Sequence, residues 1–196
     1  RALRETAYFS SNNISEPDLM QWLDLVALGT VADVVPLTGV NRALVLQGLK
    51  VMARRQNAGL VALGDVAELS ELPSTYHLGF IFGPRVNAGG RVGKSDFGAQ
   101  LLSTDDQTEA ARLAKKLDEY NQERQQIEQK IHQEALKMAS TQREFPMVMV
   151  TGKGWHPGVV GIVASRLKER FGVPSCVVTI DDEKAIGSGR SIPGVD

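Results

Sequence analysis

Two stretches of this chain hold the groups that a phosphate needs. In Gly187-Ser188-Gly189-Arg190-Ser191, two glycines free the backbone, two hydroxyls can donate, and Arg190 offers a two-pronged guanidinium. In "GPRVNAGGRVGK", Arg85, Arg91 and Lys94 stand with no acidic residue among them, and Asn87 can both donate and accept. Net charge is -1, so no global field draws the chain to a polyanion and a local patch must do it. The plain readings are a hairpin or bulge with a surface Arg for the first stretch and a solvated loop for the second. The density of phosphate-friendly groups favours contact with a sugar–phosphate backbone.

A third stretch, "GWHPGVVGI", puts Trp155 and His156 directly before a helix whose first turn is almost bare of charge. It follows a strand, and ligands of α/β folds favour that edge. The free N–H groups of a first helical turn suit an anion, and Gly158 and Gly161 permit close approach of another backbone. Tight helix–sheet packing, with Trp155 as a half-buried cover, explains the same residues. Asp33, in "ALGTVADVVPL", is an isolated carboxylate among apolar residues. Burying it unpaired is costly, so it should meet a metal ion, an Arg or backbone N–H groups, unless it caps a turn. One carboxylate does not hold Mg²⁺ or Mn²⁺ alone. His77, His132 and His156 are each isolated, and His156 has no His, Cys, Asp or Glu at ligand spacing.

The elements that carry these residues follow from periodicity. "SEPDLMQWLDLVALG" reads as a helix capped by Ser15, with Leu19, Trp22, Leu23 and Val26 on one face. "NRALVLQGLKVMARR", capped by Asn41, and "AGLVALGDVAEL" read as two more. A helical segment from Ser74 should break at Gly83-Pro84 into a Gly-rich loop, with a short helix after it in "DFGAQLLS". From about Asp105 to Ala139 there is no Pro or Gly, and apolar residues recur every three or four positions. Arg124 interrupts that stripe, and a snorkelling side chain on a connector helix is the preferred reading over a functional one. "FPMVMVTG", the helix from Pro157 to Phe171, and "PSCVVTID" form a βαβ unit with parallel strands. "KAIGSGRSI" supplies a third strand.

The chain has 196 residues, 42% hydrophobic and 23% charged, which suits a soluble globular protein with one large domain or two small ones. The single cysteine, Cys176, excludes a disulfide framework and fits a buried strand thiol in a reducing compartment. No signal peptide is evident, and no apolar run is long enough to span a bilayer. Both ends read as cut from a longer protein.

Taken in order, "LDLVALGTVADVVPL", "GFIFGPRVNAGGR", "LDEYNQERQQIE", "GWHPGVVGIVASRLKERF" and "GSGRSI" resemble the RecJ family of bacterial single-strand-specific 5′→3′ DNA exonucleases, within the DHH phosphoesterase superfamily. The resemblance runs over nearly the whole chain. It implies an α/β fold in three parts: the C-terminal part of a DHH catalytic domain in residues 1–104, a long connecting helix in 105–141, and the N-terminal part of a DHH-associated substrate-binding domain in 142–196. It implies two Mn²⁺ or Mg²⁺ ions in the complete enzyme, with Asp33 as one ligand. The family's other metal motifs are absent here, so this piece alone should hold no ion pair and be nearly inactive. Single-stranded DNA would pass between the two domains. Arg85, Asn87 and Arg91 would hold it from one wall, and Ser188, Gly189, Arg190 and Ser191 from the other, with Trp155 and His156 at the edge. A cytoplasmic role in DNA repair and recombination is implied, with single-stranded-DNA-binding protein and a RecQ-type helicase as partners.

Three other readings stay open. A DHH enzyme acting on short oligonucleotides or cyclic dinucleotides would share fold and metals. A RecJ-like protein without catalysis would bind only DNA or a partner. A purely structural scaffold would leave both Arg/Gly clusters unexplained.

Overall fold

The computed structural model describes residues 2–142 and 144–195. The first part of the chain is helical: α1 (Ala2–Glu5), α2 (Tyr8–Ser11), α3 (Leu23–Ala32), α4 (Gly39–Met52), α5 (Ala58–Val66), α6 (Thr75–His77), α7 (Gly83–Val92) and α8 (Phe97–Ser103). A 33-residue helix, α9 (Gln107–Ala139), leads to β1 (Val148–Lys153), α10 (Pro157–Phe171), β2 (Ser175–Asp181) and β3 (Lys184–Arg190). The fold is mixed α/β, mostly helical with one small sheet.

Asp18 rather than Ser15 opens the helical segment before α3. Its carboxylate accepts the Met20 N–H at the head of a 3₁₀ turn, Leu19–Trp22. That shifts the buried face to Leu23, Asp24, Ala27 and Leu28, and leaves Leu19, Trp22 and Val26 exposed. Asn41 is not the cap of α4. Thr38 holds that position, and the Asn41 amide donates to the Pro36 carbonyl.

The expected Gly-rich loop is helix. A π-helical segment, Leu78–Phe82, joins α6 to α7 without a break. Pro84 lies inside this continuous helix and cannot donate to its ladder; just before it the Gly83 N–H reaches back five residues to the Leu78 carbonyl, in the π-helical register. The glycines here serve packing. A Cβ at Gly83 would lie 3.1 Å from the Ala32 Cβ, and one at Gly89 would lie 2.3 Å from the Lys94 carbonyl oxygen.

Helix α9 matches its expected span. Asp106 caps it, accepting the N–H groups of Thr108 and Glu109, and a helix of this length reaches ~50 Å. It serves two hydrophobic cores. Leu113 and Leu117 complete one with Leu28, Val45, Leu63, Leu78, Phe82 and Leu101. Ile131, Ala135 and Ala139 complete the other with Val148, Val150, Trp155, Val163 and Leu167. Between them the buried face of α9 turns polar, through Asn121, Arg124 and Glu128.

Strands β1 and β2 are parallel, as the βαβ pattern requires, with Val148 opposite Ser175 and Lys153 opposite Ile180. Strand β3 returns antiparallel to β2 in a hairpin, and the sheet order is β1-β2-β3. Cys176 lies in β2, partly rather than fully buried.

Candidate functional site

The N-terminus of α10 docks on the C-terminal end of α7. The Arg91 Nη1 donates to the Gly158 carbonyl at 3.2 Å, and a Cβ on Gly158 would sit 2.2 Å from the Arg91 carbonyl oxygen. This contact explains the stripped helix entrance. His156 fills the rest of it: it is the N-cap, and its Nδ1 accepts the Gly158 N–H at 3.1 Å. The entrance to α10 is therefore occupied by protein groups.

Trp155 is not a half-buried cover at the edge of a binding wall. It is 6% exposed, and its Nε1 donates to Glu134 Oε2 of α9 at 2.8 Å. Gly152 makes the room: a Cβ there would lie 2.1 Å from the indole ring. The ring therefore packs into the second core and has no free face for a nucleobase.

Beside the α7–α10 contact lies a cavity of about 160 Å³. Asn87 and Arg91, one helical turn apart on α7, line it with Arg124 from α9, Ile162 from α10 and Ala32 from α3. Arg124 does not snorkel. It is 9% exposed, with Nη1 donating to Glu128 Oε2 at 2.6 Å and Nη2 to Asn121 Oδ1 at 2.9 Å, while its Nε has no partner. Arg166 of α10 closes on the other Glu128 oxygen as an ion pair rather than an aligned hydrogen bond. Burial pushes the Arg124 guanidinium below its ordinary pKa. Glu128 opposes that shift, and the Arg91 and Arg166 charges add to it.

Arg85 turns away from this cavity. Its Nε donates to Asp118 Oδ1 at 2.8 Å and its Nη1 to the Ile81 carbonyl at 2.9 Å, with the side chain 18% exposed. The trio Arg85, Asn87 and Arg91 is thus split, because on a helix positions 87 and 91 share a face that position 85 does not.

The comparisons with known proteins agree with one another. Residues 144–196 match the DHHA1 domain. Over 98% of its length the chain is 43% identical to the single-stranded-DNA-specific exonuclease RecJ of Escherichia coli strain K12, covering 35% of that protein. It is also 43% identical to the RecJ of Bacillus subtilis strain 168, over 88% of this chain and 22% of that protein. The crystal structure of RecJ with Mn²⁺ from Thermus thermophilus superposes with a TM-score of 0.82 at 33% identity, over 95% of this chain and 27% of that one. This chain is a relative of RecJ. It spans about a third of the length of the first RecJ proteins it matches.

In this RecJ relative, Ser188 and Arg190 lie on the face of β3 that meets α10. A Cβ at Gly161 would be 3.0 Å from both the Ser188 Oγ and the Arg190 Nη2. Arg190 also donates through Nε to Ser165 Oγ at 3.2 Å and through Nη1 to the Gly189 carbonyl at 2.9 Å. Gly161 is next in the chain to Ile162, which lines the cavity. Gly189 alternates onto the opposite face of the strand, and Ser191 follows the strand's last residue, its hydroxyl donating to the Val195 carbonyl. The "GSGRSI" stretch thus divides between the two faces of β3 and the segment that follows it.

Asp33 is exposed, against the expectation of burial. It is the C-cap of α3, and Val34 follows in a left-handed turn (φ 57°) that carries the chain outward. Among the described residues its carboxylate has no hydrogen-bond or ion-pair partner. The preceding residue, Ala32, lines the cavity. Among the described residues no group of three or more His, Cys, Asp or Glu side chains is placed to hold a metal ion. The residues present therefore do not by themselves fit Mn²⁺ or Mg²⁺, although RecJ from T. thermophilus was solved with each. No described helix is long and apolar enough to cross a membrane.

Arg124 is buried rather than snorkelling, and Asn121, Glu128 and Arg166 surround it, none of them among the residues expected at the site. The signal was present as a break in the α9 stripe, with polar partners three residues before and four after Arg124. That spacing puts all three side chains on one helix face.

Proposed function

We propose that this chain is the central part of a RecJ-like exonuclease that degrades single-stranded DNA from the 5′ end, and that the strand runs along the seam between α7, α9 and α10. One observation carries the reading: Asn87, Arg91 and Arg124, from two different helices, line one cavity together with Ala32, the residue before Asp33. The RecJ relatives, named as single-stranded-DNA-specific exonucleases, support the substrate class.

The roles follow from position. Arg91 and Asn87 hold backbone phosphates, Arg91 as a cation and Asn87 as a neutral donor. Ser188 and Arg190 extend the same track along the β3 side of α10. Arg85 is a positioning residue, because its guanidinium ties α7 to Asp118 of α9. His156 holds the first turn of α10 through Gly158. Asp33 is a ligand for a divalent ion whose remaining ligands this chain does not supply. A role in DNA repair and recombination accompanies this activity.

The test is anisotropy titration of the complete protein with an oligothymidylate across a range of salt concentrations. Arg91→Gln should weaken binding and lower the salt slope by about one, as expected for the loss of one phosphate contact. An affinity and slope equal to wild type would sink the seam as the strand's path.

A further inference from the structure

We infer that the cavity between α3, α5 and residues 69–73 binds a small organic amine, its ammonium group on Asp24 and its apolar body against Leu60 and Phe82. This cavity shares no lining residue with the one beside the α7–α10 contact, and the inference does not depend on the proposed path of the strand.

The first observation is a buried acid without a counter-charge. Asp24 stands in the first turn of α3 and is 3% exposed. Its Oδ1 accepts the Leu25 N–H at 2.7 Å, and its own backbone N–H is the second donor. Among the described residues the carboxylate meets no other donor and no ion-pair partner. Burying a carboxylate is costly unless a cation or a full set of donors faces it.

The second observation is the space in front of it. Asp24 lines a cavity of about 270 Å³ together with the buried side chains of Met52, Leu60 and Phe82. Gly64 keeps this space open: a Cβ there would meet nothing nearer than the Phe82 ring at 3.8 Å. The volume exceeds the ~150 Å³ that suffices for a benzene ring and falls short of the ~300 Å³ at which drug-sized sites begin. One ring or a short chain fits. Water could satisfy the carboxylate but gains nothing from the apolar walls, whereas an amine with an apolar body satisfies both.

The third observation is the sign of the charge. Arg55 also lines the cavity, but its guanidinium is committed to Asp65 at 2.5 Å. Glu71 adds a second carboxylate at the mouth, one oxygen lying 3.2 Å from the His77 Nε2. The lining therefore favours a cation over an anion.

Benzylamine is the probe, with benzyl alcohol as its uncharged counterpart, and calorimetric titration of the complete protein at pH 7 is the measurement. Benzylamine should bind more tightly than benzyl alcohol. Asp24→Asn keeps the shape and removes the charge, so it should weaken benzylamine by roughly tenfold or more, the worth of one charge-assisted hydrogen bond, and leave benzyl alcohol unchanged. Gly64→Leu fills the cavity from α5 and should block both probes. Equal benzylamine affinity in wild type and Asp24→Asn would overturn the inference. Binding that survives in Gly64→Leu would do the same by placing the amine elsewhere, and so would a folded wild type that takes up no benzylamine.

Discussion

Gly158 and Arg91 are in backbone contact across the seam: a methyl group on the Gly158 α-carbon would lie 2.2 Å from the Arg91 carbonyl oxygen, and the Arg91 guanidinium reaches back to the Gly158 carbonyl. Helices whose contacting residues are 67 positions apart in the chain therefore meet with nothing between them. Gly158→Ala must push α10 off α7. The expected cost is about 1–3 kcal/mol, typical of overpacking, together with weaker binding of single-stranded DNA by the complete protein. Urea unfolding and anisotropy measure the two effects, and a variant equal to wild type in both would show that the seam yields freely.

Glu128 is 2% exposed and bridges Arg124 on its own helix and Arg166 on α10. Glu128→Ala leaves Arg124 charged and buried without its acid, which should destabilise by roughly 3–5 kcal/mol. Replacing both residues of the pair, Arg124→Met with Glu128→Leu, removes that stranded charge. The double variant should unfold at higher urea than Glu128→Ala does.

Trp155 donates to Glu134 from inside the second core. Trp155→Phe keeps most of the packing and loses that hydrogen bond, for a cost of about 1 kcal/mol. Affinity for single-stranded DNA should stay at the wild-type value. A large loss of affinity with unchanged stability would return Trp155 to the binding surface.

Asp33 is exposed and unpartnered among the described residues. Asp33→Asn should therefore shift stability by no more than about 0.5 kcal/mol, as for other surface changes. In the complete protein the same change should abolish Mn²⁺-dependent digestion of single-stranded DNA. Full nuclease activity in the variant would remove Asp33 from the metal site.

Asp24 is buried at the start of α3, and burial pushes its carboxyl above the ordinary value of 3.8, against a partial pull downward from the Leu25 N–H that it accepts. The folded protein thus keeps this proton at pH values where the unfolded chain has lost it, so stability falls as pH rises from 3.8 through the raised value. Asp24→Asn should stabilise the protein at pH 7, and the gain should vanish below pH 3.8. Thermal midpoints measured across that range give the answer.

The long helix was legible because residues 107–139 hold no Pro or Gly and apolar residues recur every three or four positions. The parallel pair β1–β2 was legible because a strand, a Pro-initiated helix and a second apolar run allow few other arrangements. Helix α7 was not, because its Gly and Pro residues punctuate most chains as loops. Here Gly83 and Gly89 are required by the close approach of Ala32 and the Lys94 carbonyl, contacts that the local pattern of residue types does not announce.

By itself the sequence determined the long helix, the parallel strand pair and the family to which the chain is related, because periodicity and residue pattern are local properties read along the chain. Only the tertiary structure decided which charged groups share a site. It turned Arg85 toward Asp118, sank Trp155 beside Glu134, left Asp33 exposed, and set Arg124 around one cavity with Asn87 and Arg91. The reason is physical: a guanidinium or carboxylate looks the same in sequence whether it faces water, a partner or a void. Its surroundings are set by how helices far apart in the chain pack together.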